Sequence, residues 1–409
     1  MSRLTAPRGT FDILPDQSAA RAALERAARE LLEPAGYGRI ETPTFEATEL
    51  FSRGVGEATD IVQKEMYSFD DGGGRSLTLR PEGTAPVCRA YLERGMHKLA
   101  LPVRLYYLSS FFRAERPQAG RFRQFWQLGV EAIGSEDPAV DAEVIALLDA
   151  LLRRLGSRDV RLRLSSLGSP ATRAGYREEL SAYLRAHEAR LSPTVRGRIE
   201  LNPLRAFDSD DPSTRLVMEE APRLLDRLAS DDAAHFAAVR EMLDRAGVAY
   251  EIDPTLVRGL DYYTRTVFEF TSDALGAQSG VGGGGRYDGL VELLGGPATP
   301  GVGWAAGVER MLMAAEPPAA AVHVLDLFVA HEGVRADAFA TLHEARAAGL
   351  AAQMELSTRT LKGQLKLAER LGARYVAIIG VEGARLRDMR TGTEETVPRE
   401  RLVERLAVR

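Results

Sequence analysis

The chain has 409 residues, which is enough for two or three domains, each with a core of its own. Its content of 45% hydrophobic and 27% charged residues is typical of a globular protein, and the net charge of −5 excludes a protein that is basic throughout. The single cysteine, the polar N-terminus and the absence of an apolar run of membrane length exclude a disulfide framework and predict a cytoplasmic protein without membrane contacts.

The N-terminal part of the chain alternates helical and strand patterns. Residues 17–33 are rich in alanine, arginine and glutamate, which predicts a helix that ends before Pro34. Residues 37–51 indicate a strand, a proline break and a second short element. Residues 76–80 predict another strand, and a turn then leads into a helix that begins at Thr84. Strands with intervening helices are expected to continue to about residue 167.

An arginine cluster occupies residues 113–131, which read RAERPQAGRFRQFWQLGVE. Its flanks are rich in β-formers and predict two strands joined by a long loop. Arginine forks suit a polyphosphate, and Gln127 and Glu131 close the segment, so we expect a nucleotide site beside a site for a small polar or cationic ligand. Because nearly all basic residues of this chain are arginines, a solvated hairpin stays open as the alternative for this segment alone.

Residues 171–250 are helical and charge-dense, and we interpret them as an insertion, because strand patterning resumes at 264–270. The glycine run 282–285 that follows lacks the Gly-Lys-Ser/Thr of a phosphate loop and the Rossmann fingerprint. We therefore predict a tight turn that allows the backbone to approach a ligand closely.

The segment 256–263 combines a cation, Arg258, with two phenols, Tyr262 and Tyr263. An isolated tyrosine pair normally indicates half-buried strand residues, and here the neighbouring glycine run and arginine cluster favour a site. The six histidines are scattered without paired ligand spacing, so no metal site built from His or Cys and no Ser-His-Asp triad is predicted.

The C-terminal part shows a regular alternation of strands and helices beyond a short linker at 317–322. Strands are predicted at 325–331, 351–357 and 374–380, helices at 335–348 and 361–371, and a hairpin around 390–395. Four basic residues follow one helix and its exit at near-helical spacing: Lys362, Lys366, Arg370 and Arg374. A solvated helix face and an RNA contact both remain open for them.

These segments together resemble bacterial histidyl-tRNA synthetases from end to end. The similar stretches include PRGTFDILP, LRPEGTAPVCRAY, FRAERPQAGRFRQFWQLGVE, LVRGLDYYT, GGGGRYDGLVELLG, GVGWAAGVERM and LKGQLKLAERLGARYVAIIG. In this resemblance the three class II motifs lie at 36–46, 112–131 and 301–310, and the two histidine-specific signatures lie at 256–263 and 284–290.

The resemblance implies an α+β catalytic domain at 1–316, built on a mostly antiparallel sheet with class II synthetase topology and carrying the helical insertion at about 171–250. A C-terminal α/β anticodon-binding domain is implied at 323–409, after the linker. The implied function is histidine–tRNA ligation, in which L-histidine and ATP give histidyl-adenylate and pyrophosphate before the histidyl group passes to the 3′ end of tRNA(His). Motif 1 usually builds the dimer interface in this class, so a homodimer is implied as well.

For ATP, the resemblance implies that Arg113 grips the α-phosphate and the carboxylate of histidine. Arg121 and Arg310 are implied to hold the β- and γ-phosphates, with Mg²⁺ accompanying ATP, and Phe125 to stack on adenine. Arg258 is implied to take the place of a cation at the reacting α-phosphate. Arg113 and Arg258 are thus the implied catalytic residues.

The implied histidine site has more residues than the implied ATP site. Different residues of it contact the α-amino group and the imidazole ring of histidine. Its residues are Glu82, Thr84, Arg113, Gln127, Glu131, Arg258, Tyr262 and Tyr263. Glu82, Thr84 and Gln127 meet the amino group, and Glu131 and Tyr263 read the two ring nitrogens, with Tyr262 beside them. Such a committed donor and acceptor discriminate by about four powers of ten or more, so no editing domain is needed.

The chain departs from the family pattern at Ala114, where many relatives carry histidine, and at Trp126, a position often filled by histidine or another smaller ring. Neither position has an implied catalytic role, and Trp126, beside Gln127, is expected to affect packing. The C-terminal domain is slightly trimmed between 380 and 387, and we expect altered tRNA contacts or packing there rather than lost catalysis.

Two other functions agree less well with these residues. Regulatory subunits of ATP phosphoribosyltransferase share the core, generally lack the C-terminal domain and have eroded signatures. A synthetase for another amino acid is disfavoured by Glu131 and the 256–263 signature.

Overall fold

The computed structural model describes residues 3–56, 59–276, 279–316 and 325–407. The chain divides into two compact units, Met1–Pro318 and Ala319–Arg409. The predicted linker at 317–322 lies outside the described residues. Within the described ranges, no helix combines the length and the apolar character that crossing a membrane requires.

The first unit is built around one large mixed sheet. The strands of this unit, in the large sheet and in a smaller one, are β1 (Gly38–Arg39), β2 (Phe45–Ala47), β3 (Tyr67–Asp70), β4 (Ser76–Leu79), β5 (Val103–Phe112), β6 (Gln124–Ile133), β7 (Val160–Ser166), β8 (Glu251–Ile252), β9 (Thr264–Ser272), β10 (Gly280–Arg286) and β11 (Gly301–Gly307). In the described residues the large sheet has eight strands in the order β1-β5-β6-β11-β10-β9-β7-β8. The outer pairs β1–β5 and β7–β8 are parallel, whereas the central pairs are antiparallel. The predicted pair of strands flanking the arginine cluster is confirmed as β5 and β6.

The helices of this unit cover both faces of the large sheet. They are α1 (Pro15–Leu32), α2 (Thr48–Val55), α3 (Thr84–Glu93), α4 (Pro138–Arg154), α5 (Pro170–Ala186), α6 (Pro193–Arg196), α7 (Pro212–Glu219), α8 (Ser230–Arg245), α9 (Leu290–Leu293) and α10 (Val308–Ala314). Side chains alternate across β6, so Leu128 and Val130 pack into a core with α1, α4 and α8, while Ile133 packs into a second core with α3, α5 and α7. Phe125, Gln127 and Glu131 share the face of Ile133, and the site lies on that side.

The helical segment predicted at 171–250 divides between these two cores. Residues of α5 and α7 belong to the second core, together with the 3₁₀ turns that connect them. Phe236, Val239 and Leu243 of α8 belong instead to the first core, next to α4. Helix α8 is therefore part of the layer that supports the large sheet, and the segment before it forms the lobe near the site.

The prediction of a tight turn at the glycine run 282–285 was wrong. These glycines form β10, paired on both sides with β9 and β11 in the middle of the large sheet. A Cβ atom at Gly283 would lie 2.5 Å from the carbonyl oxygen of Phe268 and 3.1 Å from Nη2 of Arg258. Glycine is required here because neighbouring backbone and a site arginine occupy the space of a side chain.

A smaller antiparallel sheet, with the order β2-β4-β3, carries the end of the predicted motif 1. Its Phe45 and Phe69 are 50% and 43% exposed, and their ring centroids lie 6.1 Å apart. Two neighbouring exposed aromatic rings on one sheet form an apolar patch, which is typical of an interaction surface.

The second unit confirms the predicted alternation. Its elements are β12 (Leu325–His331), α11 (Arg335–Ala347), β13 (Ala352–Met354), α12 (Leu361–Arg370), β14 (Ala373–Gly380), β15 (Gly383–Asp388), β16 (Glu394–Val397) and α13 (Leu402–Ala407). In the described residues its sheet has the order β13-β12-β14-β15-β16, parallel among the first three strands and antiparallel after them. The hairpin predicted around 390–395 is the connection from β15 to β16.

Candidate active site

A cavity of about 230 Å³ lies on the second-core side of the large sheet. Its walls come from the start of α3, from β5 and β6, from the segment before β9 and from β10, β11 and α10. The cavity brings together almost all residues that the sequence predicted for the site: Glu82, Thr84, Arg113, Arg121, Phe125, Gln127, Arg258, Tyr262, Tyr263 and Arg310. Glu131 is not among the lining residues and lies fully buried behind them.

Glu131 is held by two hydroxyl groups from distant parts of the chain. Thr84 Oγ1 donates to its Oε1 at 2.7 Å, and the phenol of Tyr287 donates to its Oε2 at 2.6 Å. Burial raises the pKa of Glu131 to about 8, although the hydrogen bonds from Tyr287 and Thr84 act in the opposite direction. The carboxyl group is therefore mostly protonated at neutral pH and half-protonated near pH 8, and its position is determined by Thr84 and Tyr287.

Glu82 organises the start of α3. Its Oε2 accepts the backbone N–H of Thr84 at 2.7 Å and its Oε1 accepts that of Ala85 at 2.9 Å. These amides have no intrahelical partner at a helix N-terminus, so a carboxylate at this place satisfies them. Burial raises the pKa of Glu82. The side chain is thereby fixed at the edge of the cavity with lone pairs left for a further donor.

Three phenols lie close together beside Glu131. The ring centroids of Tyr262 and Tyr263 are 4.8 Å apart, and those of Tyr262 and Tyr287 are 5.9 Å apart. All three side chains are buried, and burial raises the pKa of each phenol. They are consequently neutral hydroxyl groups that can donate or accept hydrogen bonds at neutral pH.

The arginines of the predicted phosphate site surround one carboxylate, Glu115. Arg113 Nη1 lies 3.7 Å from its Oε1 and Arg121 Nε lies 3.3 Å from its Oε2. Arg113 also donates from Nε to the carbonyl oxygen of Pro81 at 2.9 Å, and its guanidinium lies 5.4 Å from the ring centroid of Phe125. Burial and the nearby charge of Arg121 both lower the pKa of Arg310. The positive charges of Arg121 and Arg310 are therefore close enough to repel each other.

Arg258 is paired with a carboxylate on β9. Its Nη1 donates to Oε1 of Glu269 at 3.0 Å, and Oε2 of Glu269 lies 3.5 Å from Arg163 on β7. Glu269 thus connects Arg258 to the sheet, and it lines the same cavity.

The two remaining arginines of the cluster differ in their surroundings. Arg123 holds the N-terminal segment, because its N–H donates to the carbonyl oxygen of Gly9 at 2.7 Å and its guanidinium donates to that of Arg8 at 3.3 Å. Arg116 is exposed. The departure Trp126 packs under Arg21, whose guanidinium lies 4.9 Å from the indole centroid, on the face of β6 opposite Gln127. Trp126 therefore alters packing outside the cavity.

The profile of the family described as Histidyl-tRNA synthetase matches residues 9–311, and that of the Anticodon binding domain matches residues 327–409. The chain belongs to the histidyl-tRNA synthetase family. The family named from the sequence resemblance is thereby confirmed.

Relatives within the family match over nearly the whole chain. A protein named histidine–tRNA ligase from Moorella thermoacetica is 51% identical over 403 residues, which are 96% of this chain and 95% of that protein. The histidine–tRNA ligase of Streptomyces coelicolor is 48% identical over 97% of this chain and 96% of its own length.

Solved structures agree with the family. The apo histidyl-tRNA synthetase of S. aureus is 37% identical, covers 99% of this chain and 100% of its own, and superposes with a TM-score of 0.82. A structure titled as an ATP phosphoribosyltransferase regulatory subunit/histidyl-tRNA synthetase from Bacillus halodurans is 24% identical with a TM-score of 0.69, and this likeness shows the fold alone.

Three site residues were missed at the sequence level: Tyr287, Glu269 and Glu115. Tyr287 lies inside the GGRYDG signature of this family, where its phenol was given no role. Glu269 lies in the strand run 264–270, where it is the only acidic residue, and an acidic side chain between two phenylalanines could have indicated a paired function. Glu115 stands between two arginines of the cluster, and that spacing was the available signal.

The family resemblance implies that Mg²⁺ accompanies ATP at this cavity. Among the residues that the structure describes, no group of three or more His, Cys, Asp or Glu side chains could hold a metal ion. The carboxylates nearest the arginines, Glu115 and Glu269, are paired with Arg113, Arg121 and Arg258. The described carboxylates of the cavity are therefore engaged by arginines, and a metal ion that enters with ATP would rely on the nucleotide for ligands.

Proposed function

We propose that this cavity binds histidine and ATP side by side and joins them as histidyl-adenylate, before the histidyl group passes to tRNA. The chain is a histidine–tRNA ligase, an aminoacyl-tRNA synthetase, because it belongs to that family over nearly its whole length. The observation that carries the mechanism is the composition of the cavity. One wall supplies arginines, and the other supplies carboxylates and neutral phenols.

The arginines are the proposed ATP site. Arg113 holds the α-phosphate together with the carboxylate of histidine, and Arg121 and Arg310 hold the β- and γ-phosphates. Their planar forks suit phosphate oxygens, and the negative charge of a triphosphate offsets the mutual repulsion of several neighbouring cations. Adenine stacks on Phe125, which already lies beside Arg113. When ATP binds, its phosphates replace Glu115 as the partner of Arg113 and Arg121. Mg²⁺ is proposed to accompany ATP and would offset part of the charge of its phosphates.

Arg258 is the proposed electrostatic catalyst. It lines the cavity at the junction between the phenols and the arginines, and Glu269 fixes its orientation at 3.0 Å. As the carboxylate of histidine attacks the α-phosphate, negative charge develops on the phosphate oxygens. A preoriented guanidinium stabilises that charge without reorganisation. Arg113, on the same phosphate, is the second catalytic residue.

The opposite wall is the proposed histidine site. The α-amino group meets Glu82, Thr84 and Gln127, and Gln127 supports this role because its Oε1 is buried without a hydrogen-bond partner among the described residues. Glu131 and Tyr263 read the imidazole nitrogens, with Tyr262 beside them. A side chain without ring nitrogens would leave these buried groups unpaired, which costs affinity and gives selectivity.

Two further partners follow from the family. We assign tRNA(His) to the catalytic domain, placed at 1–316, and to the anticodon-binding domain at 323–409, where Lys362, Lys366, Arg370 and Arg374 are all exposed along α12 and its exit. We also propose that the large sheet of the catalytic domain has the class II synthetase topology. A homodimer formed through motif 1 is supported by the exposed pair Phe45 and Phe69. We place the enzyme in the cytoplasm, where tRNA is charged.

The test is amino-acid-dependent ATP–pyrophosphate exchange with the full chain, measured for each of the common amino acids. We expect exchange with histidine and at most about 10⁻⁴ of that rate with the others. Exchange with a different amino acid would assign another synthetase, and no exchange with any amino acid would favour the regulatory-subunit function. Charging of tRNA(His) with labelled histidine then completes the assignment.

A further inference from the structure

The segment 256–263 carries three of the proposed site residues, Arg258, Tyr262 and Tyr263, and it forms no helix or strand. Loop segments of this kind are normally more mobile than the elements they connect. A catalytic guanidinium has to be held within a fraction of an ångström, and a displacement of 1 Å costs about 100-fold in rate. Contacts from outside the segment must therefore determine its conformation.

One set of contacts comes from the lobe formed by α5 and the turns after it. The guanidinium of Arg173 on α5 donates to the backbone carbonyl oxygen of Tyr263. Asn202 Nδ2 donates to Oδ1 of Asp261 at 3.3 Å. A Cβ atom at Gly259, the residue after Arg258, would lie 3.8 Å from Nη2 of Arg205. The lobe thus touches the segment at three points.

Asp261 is the centre of these contacts. Burial raises its pKa, and the cations Arg205, Arg173 and Arg177 of the lobe counteract this effect. Burial lowers the pKa of Arg173, and the charge of Asp261 opposes that change. Asp261 and Arg173 therefore attract each other. Because Asp261 is exposed and Arg173 is only half-buried, this attraction adds to the hydrogen bonds that hold the segment and does not replace them.

The other side of the segment rests on α2. The N–H of Asp261 donates to the carbonyl oxygen of Val55 at 3.3 Å, and a Cβ atom at Gly56 would lie 2.9 Å from Oδ2 of Asp261. A second cavity, of about 160 Å³, lies behind the segment and is lined by Arg173, Asp261 and Arg258. Arg258 lines both cavities, so contacts made behind the segment can bear on the orientation of its guanidinium in the main cavity.

We infer that Arg173 and Asp261 are positioning residues for amino-acid activation, through which the inserted lobe holds Arg258 and Tyr263 in their working geometry. This inference rests on the proposed roles of Arg258 and Tyr263. Neither Arg173 nor Asp261 lines the main cavity, so both act through the segment and not on the substrates.

The experiment measures steady-state ATP–pyrophosphate exchange of the full chain with Arg173→Ala, Arg173→Lys and Asp261→Asn. The segment carries histidine-binding groups and Arg258, which acts on the α-phosphate as charge develops there, but none of the proposed ligands of the β- and γ-phosphates. Arg173→Ala should therefore raise the KM for histidine about 10-fold and lower kcat about 10- to 100-fold, with a KM for ATP that stays nearly unchanged. Arg173→Lys keeps the charge opposite Asp261 and should restore part of both losses. Asp261→Asn should likewise raise the KM for histidine and lower kcat without raising the KM for ATP.

Arg185→Ala is the matched control. Arg185 lies on the same helix and pairs with Glu200 inside the lobe, and this variant should behave as the wild type. A purely structural role would lower kcat in proportion to the loss of folded protein and leave the KM for histidine unchanged, and that result, or wild-type kinetics for Arg173→Ala, would overturn the inference. Wild-type exchange in Arg258→Ala would instead refute the proposed function on which it rests.

Discussion

At the residue scale, the site depends on buried polar groups that are held by specific partners. Glu131 is buried against Thr84 and Tyr287, Glu82 caps α3, and Arg258 is paired with Glu269. Each of these groups loses its hydration on folding, so an incorrect partner would leave it unpaired at a cost of about 1–3 kcal/mol. Such a site is rigid before its ligands bind, which is the arrangement that preorganised electrostatic catalysis requires.

The raised pKa of Glu131 predicts a pH dependence of stability. The unfolded chain releases this proton near pH 4.3 or so, the ordinary range of glutamate, whereas the folded protein keeps it until about pH 8. The folded state binds more protons in this window, so its free energy of unfolding falls as the pH rises. Relative to Glu131→Gln, the melting temperature of the wild type should therefore decrease from about pH 5 to about pH 8 and then level off.

Differential scanning fluorimetry across this pH range measures the effect. Glu292→Gln, at an exposed position, is the control and should show a pH-independent difference from the wild type. A constant difference between the wild type and Glu131→Gln would contradict the raised pKa.

Arg258→Ala tests the catalytic assignment. Loss of one preoriented cation at the reacting phosphate should lower the rate of histidine-dependent exchange by about 10²–10³-fold, while circular dichroism shows an unchanged fold. Arg161→Ala on the neighbouring strand β7 removes an exposed pair with Asp273 and should keep wild-type exchange. Near-wild-type exchange in Arg258→Ala would refute the role of this residue.

At the scale of elements, the central strands of the large sheet are shaped by close approaches to the site. β10 and β11 carry glycines where side chains or backbone of neighbouring strands occupy the space above the sheet. Gly303 on β11 is paired with Glu131 on β6, and a Cβ atom there would lie 2.0 Å from Oε2 of Glu131. The strand composition is thus set by the buried carboxyl group and not by strand propensity, which disfavours glycine.

Gly303→Ala should therefore disturb both stability and histidine binding. Because the added methyl group also meets the carbonyl oxygen of Val130 at 2.3 Å, the strand has to shift, and we expect a loss of about 1–3 kcal/mol or more in the free energy of unfolding. The KM for histidine should rise as well, since Glu131 is displaced. Gly289→Ala, where no heavy atom lies within 4 Å of the added Cβ, is the control. Urea denaturation measures the free energy of unfolding, and ATP–pyrophosphate exchange measures the KM for histidine. Equal values for Gly303→Ala and Gly289→Ala would contradict this packing argument.

At the scale of the whole molecule, the chain combines a catalytic unit with a C-terminal unit that has its own sheet and cores. The two family profiles fall on these two units. The catalytic unit presents Phe45 and Phe69 on its small sheet, and the second unit presents the basic face of α12. The proposed partners, a second copy of the chain and tRNA, are thereby assigned to different surfaces.

Sedimentation velocity tests the dimer. The wild type should sediment as a dimer, and Phe45→Glu should weaken association at least about tenfold, because a charge replaces an aromatic contact at the interface. Phe339→Glu, which changes an exposed phenylalanine of the second unit, should leave the dimer intact. A stable and fully active wild-type monomer would contradict the homodimer.

The amino-acid sequence by itself determined the family, the alternation of elements in both units and the proposed site residues, of which ten line the cavity and Glu131 lies behind it. This information is local: motif residues such as Arg113, Gln127 and Tyr263 belong to short segments whose chemistry can be read along the chain. The strands β5 and β6, the helix beginning at Thr84 and the C-terminal alternation were predicted for the same reason, since hydrophobic periodicity and turn residues are properties of neighbours in sequence.

Only the tertiary structure decided how these groups are paired. Glu131 and Tyr287 are 156 residues apart, and no local pattern indicates that the phenol donates to the carboxyl group. The glycine run forms a central strand of the sheet. It consists of glycines because the backbone of Phe268 and the side chain of Arg258 occupy the space that a side chain at Gly283 would need. The contact of Arg123 with the N-terminal segment and the packing of α8 with α4 also join segments that are far apart in the sequence, and no local pattern indicates them. Burial and pairing depend on which distant segments meet, and that is set by the packing of the whole sheet with its helices and not by the residues nearby in sequence.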